Sequence, residues 1–320
     1  MGFNGIVSGA ALSFRMSLVY FLLNSCLVLV CFLKINKLQF LSSIKNIRLP
    51  QTIFNVGLLL IGICVGGYYG KSFLEFTFFN ILSLIILVLC VVLAWYFSVI
   101  INDISDLKID KITNKNRPLV KKIFTIEEYK TLGLISLLFS FFGFCLVSLK
   151  VAFFMIGYYL LVYVYSCYPA RLKRFVVISN ILIAFSSLMF LFIGFLFISG
   201  GDFLLNFPWP VYWFLFAAYF FIIPLKDIKD IKGDKEDRVF SIPVLIKEKN
   251  TRILIASLVF SFYLASVFVL KCPRLFLPAL SFGTISFFLI DNKKISKYYL
   301  NHWVLGLVFL YGIFVVKIIF

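Results

Sequence analysis

Ten apolar stretches separated by polar connections organise this chain, near residues 17–33, 53–69, 76–101, 132–149, 151–168, 175–199, 209–225, 253–270, 275–290 and 298–320. A helix rising about 1.5 Å per residue crosses about 30 Å of hydrocarbon in a run of this size, so each stretch predicts a membrane-spanning helix. The nine connections alternate in basic content. Connection 34–52 holds four Lys/Arg, 70–75 one, 102–131 seven, the turn at Lys150 one, 169–174 three, 200–208 none, 226–252 eight, 271–274 two and 291–297 three. Basic connections gather on the cytoplasmic face of membrane proteins, so 34–52, 102–131, 169–174, 226–252 and 291–297 are expected on that side. Residues 17–33 read as a retained helix, because Arg15 is the sole charge before them and no small-x-small cleavage site follows.

Composition agrees with this reading. Hydrophobic residues make up 62% of the chain and charged residues 14%, against about 25% charged in soluble domains. The net charge of +17 sits in the connections, where membrane orientation accounts for it, so a lipid bilayer and no nucleic acid is the expected partner surface. The seven cysteines show no C-x-x-C spacing and read as buried thiols, without a disulfide framework or zinc site. His302 reads as an interfacial residue at the start of the last span. Gly66, Gly67 and Gly70 mark a helix end, since no G-K-[ST] follows them.

The acidic residues carry the chemistry. Eleven of the fourteen lie in connections 102–131 and 226–252, on the face expected to be rich in cations. Asp103, Asp106 and Asp110 are matched by Asp227, Asp230 and Asp234 with the same i, i+3, i+7 spacing, which predicts three carboxylates on one helical face in each trio. Carboxylates that close repel unless cations neutralise them. Mg²⁺ prefers oxygen ligands and is usually held by carboxylates together with phosphate oxygens, so two facing trios predict a paired Mg²⁺ site that activates a diphosphate. An allylic cation released by that activation would need a cavity lined by Phe, Tyr and Leu to exclude water. A cation transporter is the alternative from another class. It fits less well, because no acidic residue sits inside a predicted span. An inactive scaffold is the other alternative, and the complete set of motif carboxylates argues against it.

Asn102-Asp103-x-x-Asp106-x-x-x-Asp110 followed by Arg117-Pro118, Lys226-Asp227-x-x-Asp230-x-x-Gly233-Asp234, and Ser241-Ile242-Pro243-Val244-Leu245 together resemble the signatures of the UbiA superfamily of intramembrane prenyltransferases. Tyr168-Pro169 and Leu172-Lys173-Arg174 resemble that family's short basic stretch. The resemblance implies an all-α, polytopic membrane helix bundle of the UbiA type, with nine core transmembrane helices plus one extra N-terminal helix. Residues 1–47 would form the extra helix and a basic loop, and 48–320 the prenyltransferase domain. Its first half, 48–174, carries motif 102–118, and its second half, 175–320, carries motif 226–245.

By the same resemblance Asn102, Asp103, Asp106, Asp110, Asp227, Asp230 and Asp234 would coordinate Mg²⁺. Asn102, Arg117, Lys173, Arg174 and Lys226 would bind the diphosphate, and Asp106, Asp230, Lys173 and Arg117 would be catalytic. The substrates implied are a polyprenyl diphosphate and a hydrophobic acceptor. Lys121-Lys122 and Lys235-Glu236-Asp237-Arg238 depart from the family pattern, both beyond the expected metal ligands, where acceptor handling is at stake. The forms N-x-x-R-P and K-D-x-x-D-x-x-G-D look most like the branch that includes geranylgeranylglyceryl phosphate and chlorophyllide prenyltransferases.

Overall fold

The computed structural model describes residues 2–70, 77–199, 207–228, 231–236, 241–246, 248–292 and 294–319. In chain order the helices are α1 (Gly2–Ile35), α2 (Lys37–Asn46), α3 (Leu49–Gly70), α4 (Phe78–Ser105), α5 (Leu107–Thr113), α6 (Ile126–Val147), α7 (Leu149–Ser166), α8 (Val176–Ile198), α9 (Trp209–Ile222), α10 (Pro224–Asp227), α11 (Ile231–Glu236), α12 (Ile242–Ile246), α13 (Glu248–Val269), α14 (Phe276–Asp291) and α15 (Lys297–Ile319). A 3₁₀ turn, Leu172–Arg174, precedes α8. Among the described residues, nine helices are long and apolar enough to cross a membrane, and α9 is a shorter apolar helix.

Helix starts follow local chemistry. Thr125 and Glu128 close a reciprocal capping box on α6, and the Asn36 and Thr77 side chains accept from the third residue of α2 and α4. These bonds satisfy backbone N–H groups that a first turn leaves without partners. Large apolar side chains such as Leu23, Phe142, Phe153, Phe268 and Phe288 face outward, as expected where lipid replaces water.

Two sequence expectations change here. Segment 209–225 does not form one long helix: α9 stops at Ile222, and Pro224 opens α10. Proline has no N–H for the helical ladder and its ring crowds the carbonyl four residues back, so the helix breaks there. The cysteines are also not uniformly buried. Cys90 is buried, whereas Cys26, Cys31 and Cys64 are exposed, because lipid offers an apolar side chain the same environment as the bundle interior.

Close backbone approach locks α3 to α8. A Cβ on Gly62 would lie 1.9 Å from the Leu191 carbonyl oxygen, and one on Gly194 would lie 2.1 Å from that of Leu59. Without a hydrophobic drive between helices in lipid, such small-residue contacts carry association through dispersion. The Gly194→Val variant should lose about 1–3 kcal/mol or more, as overpacked cores do, read as a lower midpoint of thermal unfolding in detergent; an unchanged midpoint would refute this packing.

Candidate functional site

The C-terminal end of α4 carries the first acidic motif, but its residues do not share one face. The helix is interrupted at Asp106 (φ −102°, ψ 14°), and α5 begins at Leu107. Asn102, Asp106 and Asp110, spaced i, i+4, i+8, line a cavity of about 390 Å³. Asp103 faces the other way and is 1% exposed. Its Oδ1 accepts from Arg48 Nη2 at 2.7 Å and lies 3.5 Å from Arg117 Nη1. Its Oδ2 accepts from Asn46 Nδ2 at 2.7 Å and from the Tyr129 hydroxyl at 3.2 Å. This corrects the expectation of three carboxylates on one face. The break at Asp106 and the donors on α2, α3 and α6 turn Asp103 out of the cavity.

Asp106 is gripped from the opposite wall. Arg171 Nη2 donates to its Oδ1 at 3.2 Å, and Lys173 Nζ donates to the same oxygen. Lys173 also reaches Asn102 Oδ1 at 3.4 Å. Arg48 and Arg171, which hold Asp103 and Asp106, are both in the left-handed region, with φ of 59° and 37°. Non-glycine residues adopt it at a cost that surrounding contacts must meet, and such strain gathers at functional sites. Arg174, expected beside Lys173, turns away instead: its guanidinium stacks over the Tyr168 ring at 5.0 Å. Side chains on a 3₁₀ turn point about 120° apart, so neighbouring residues cannot face one cavity.

The second motif reaches the same cavity from α10 and from Ser241, just before α12. The Pro224 break brings Asp227 to the cavity wall, joined by Ser241, and α11 packs against α5. Two motifs 124 residues apart therefore meet. Asp230 lies outside the described residues, as do the side chains of Lys226 and Asp234.

Among the described residues, no three acidic, His or Cys side chains converge on a single ion. Asp106, Asp110 and Asp227 instead spread around the cavity, an arrangement suited to ions shared with a bound anion. The donor set is oxygen alone, as a hard cation prefers. Asp110 Oδ2 is buried without a hydrogen bond among the described residues. Burial pushes its carboxyl up to about 6 despite the Arg117 guanidinium, whose Nε lies 4.0 Å from Asp110 Oδ2, so a cation placed there offsets a buried charge that Arg117 compensates only in part. Asn180 Nδ2, Gln51 Oε1 and Ser241 Oγ are likewise buried without partners among the described residues, and all three line the cavity. Each is a buried polar atom on a residue that lines the cavity, where a bound ligand can supply the partner it lacks.

Several site residues escaped sequence reasoning. His302, read as interfacial, lines the cavity with Asn301. Arg48 counted there only as one of the basic residues of connection 34–52, and Asn46, Gln51, Asn55 and Asn180 carried no motif. The common signal is a polar residue at the end of a span on the basic side, too frequent to single them out.

The model of the UbiA prenyltransferase family matches residues 59–305. The chain belongs to the UbiA prenyltransferase family. A digeranylgeranylglyceryl phosphate synthase of Methanococcus maripaludis is 29% identical over 208 residues, covering 64% of this chain and 69% of its own length. Among solved structures, this UbiA-family chain resembles a UbiA homologue from Archaeoglobus fulgidus bound to DMAPP and Mg²⁺, with a TM-score of 0.61 at 18% identity over 87% of this chain and 99% of that one. It likewise resembles the apo UbiA homologue from Aeropyrum pernix, with a TM-score of 0.60 at 19% identity over 84% and 98%. At these identities the likeness establishes the fold.

The two halves of the acidic motif should separate experimentally. Removing Asp103 strands Arg48 and Asn46 in a buried site, so Asp103→Ala should cost about 3–5 kcal/mol and lower the unfolding midpoint in EDTA. In EDTA, Asp110→Asn should leave that midpoint unchanged or raise it, because a buried carboxylate with an unpaired oxygen is removed. Equal losses from both variants would contradict the division.

Proposed function

We propose that this UbiA-family protein is a Mg²⁺-dependent prenyltransferase that moves a polyprenyl group from an allylic diphosphate to a lipophilic acceptor bearing a glycerol phosphate. The observation that carries the reading is the meeting of the two acidic motifs at one cavity, with Asp106, Asp110 and Asp227 on its wall. Asn102, Asp106, Asp110 and Asp227, with Asp230 and Asp234, are the proposed Mg²⁺ ligands. Lys173 and Arg117 are proposed for the phosphate oxygens, with Lys226 beside them. Asp103 is proposed as the carboxylate that orders Arg48 and Arg117. Bound Mg²⁺ supplies compensation for the charge that builds on the departing diphosphate. The A. fulgidus homologue, bound to DMAPP and Mg²⁺, supports this cofactor and donor class. The M. maripaludis synthase and the branch features of both motifs support the acceptor class.

The allylic C–O bond breaks, and the diphosphate leaves with the electron pair. Lys173 and Arg117 stay in place as donors to it, with no reorganisation at that moment. The organic cation forms among Trp95, Tyr158, Tyr165 and Tyr219, which line the cavity, and ring faces favour a nearby cation. Phe54, Leu161, Val162 and Leu305 keep water from it. The acceptor hydroxyl oxygen then forms the new bond and gives up its proton to the released diphosphate. The prenyl tail is assigned to an apolar gallery of about 540 Å³ that shares Phe54, Tyr219, Ile222 and Leu305 with the polar cavity.

Purified protein in detergent should turn over geranylgeranyl diphosphate with geranylgeranylglyceryl phosphate, and EDTA should abolish it. Asp106→Ala and Asp230→Ala should each cost about 100-fold or more, the scale of losing one preorganised electrostatic contact. Near-full turnover by both variants would sink the metal-site reading. From the alternation of basic connections we place the polar end of the cavity on the cytoplasmic side. A membrane-impermeant maleimide should then label a Lys121→Cys variant in inside-out vesicles and leave it unlabelled in intact cells; the reverse pattern would invert the topology.

A further inference from the structure

Two carboxylates at the polar end of the bundle are each held by two cations. Asp106 has Arg171 and Lys173, on the side of the acidic motifs. Asp103 has Arg48 and Arg117, on the other side of α4. The first trio carries one surplus positive charge, on the side of the proposed diphosphate. In the second, Arg117 also lies 4.0 Å from Asp110 Oδ2, which ties it to the acidic motifs, and among the described residues Arg48 is paired with Asp103; the role of Arg48 is what the diphosphate does not account for.

Arg48 and Arg117 line the cavity while Asp103 sits behind them, so the carboxylate serves as a buried brace and the guanidiniums form the surface that a ligand meets. The Arg48 side chain is 25% exposed against 1% for Asp103. Arg48 Nε is a buried donor without a partner among the described residues, and Gln51 Oε1, one turn along α3, is a buried acceptor in the same condition. Asn55 continues that face and also lines the cavity, and beyond it Leu58, Ile61 and Val65 border the apolar gallery. One face of α3 thus grades from a guanidinium through two amides into hydrocarbon. Arg48, Gln51 and Asn55 all precede the stretch 59–305 that the family model covers.

We infer that Arg48, braced by Asp103, forms a second anion subsite that reads the phosphate of the acceptor, with Gln51 placed to accept from a glycerol hydroxyl. The inference rests on the prenyltransferase reading and deepens it: the donor's diphosphate is met by Lys173 and Arg117, and the acceptor's phosphate by Arg48. A planar guanidinium with parallel donors suits a phosphate better than a lysine ammonium does. The left-handed backbone at Arg48 fixes that guanidinium at the head of α3 rather than leaving it to search.

The test uses the full chain in neutral detergent free of phospholipid, so that no lipid headgroup occupies the subsite. Wild-type protein is assayed with prenylglyceryl phosphate and with the same lipid lacking its phosphate, and Mg²⁺-dependent binding of prenyl diphosphate is measured separately. Wild-type protein should favour the phosphorylated acceptor. In Arg48→Gln the KM for it should rise about 10- to 100-fold, the worth of a charge-assisted hydrogen bond. Discrimination against the alcohol should collapse, kcat at saturation and donor binding should stay near wild type, and Arg48→Lys should recover part of the loss. Inhibition of the wild type supplies an arm that needs no variant: sn-glycerol phosphate should compete with the acceptor and not with the diphosphate. Competition with the donor alone, or equal use of alcohol and phosphate by the wild type, would overturn the second subsite while leaving the prenyltransferase reading intact. Absence of Mg²⁺-dependent donor binding in the wild type would instead overturn the parent reading.

Discussion

Placing a carboxylate inside a membrane bundle, 1% exposed in the case of Asp103, requires positive charge and donors on nearly every lone pair, since the desolvation cost of a bare ion is several kcal/mol or more. Asp103 meets that requirement with groups from α2, the head of α3, the loop after α5, and α6. The demand of one side chain therefore gathers four elements at the polar end. Asp106 repeats the arrangement with Arg171 and Lys173 from the turn before α8. These compensated charges set where the spans meet, and the cavity is the space they leave between them.

The same end of the molecule divides two kinds of work. Residues spaced i, i+4, i+8 on α4 and α5 face the second motif, and the intervening Asp103 faces away. A helix that ran straight through Asp106 would keep one register; the interruption there lets α5 lie against α11. The break at Pro224 does the corresponding service for Asp227. Both interruptions sit where a membrane helix tolerates irregular backbone, next to a cavity that can hydrate or ligate the freed groups. Below them the polar cavity borders the apolar gallery, with Phe54, Tyr219, Ile222 and Leu305 common to both linings.

Much of this was legible along the chain. The spans show because lipid demands uninterrupted apolar runs, the alternation of basic connections because orientation is set by charge, and the two acidic motifs because like charges at helical spacing have few structural uses. Helical spacing nonetheless misjudged Asp103, the family resemblance placed Arg174 beside Lys173, and the apolar run 209–225 gave one helix too long. Each of those depends on a local break or a partner distant in sequence: Asp103 and Arg48 are 55 positions apart. His302 was read only as interfacial and Gln51 left no mark, because one polar residue near a span end is ordinary in any membrane protein.

The sequence by itself determined that the chain is a membrane helix bundle, how its basic connections alternate, and that it carries two acidic motifs of identical spacing, because bilayer thickness and charge repulsion act on residue types and spacing alone. Only the tertiary structure decided which carboxylates face the cavity, which is turned away from it, and which arginines hold each of them. That decision belongs to three dimensions because a buried charge is settled by whichever donors packing brings to it, and packing joins residues that no local pattern connects.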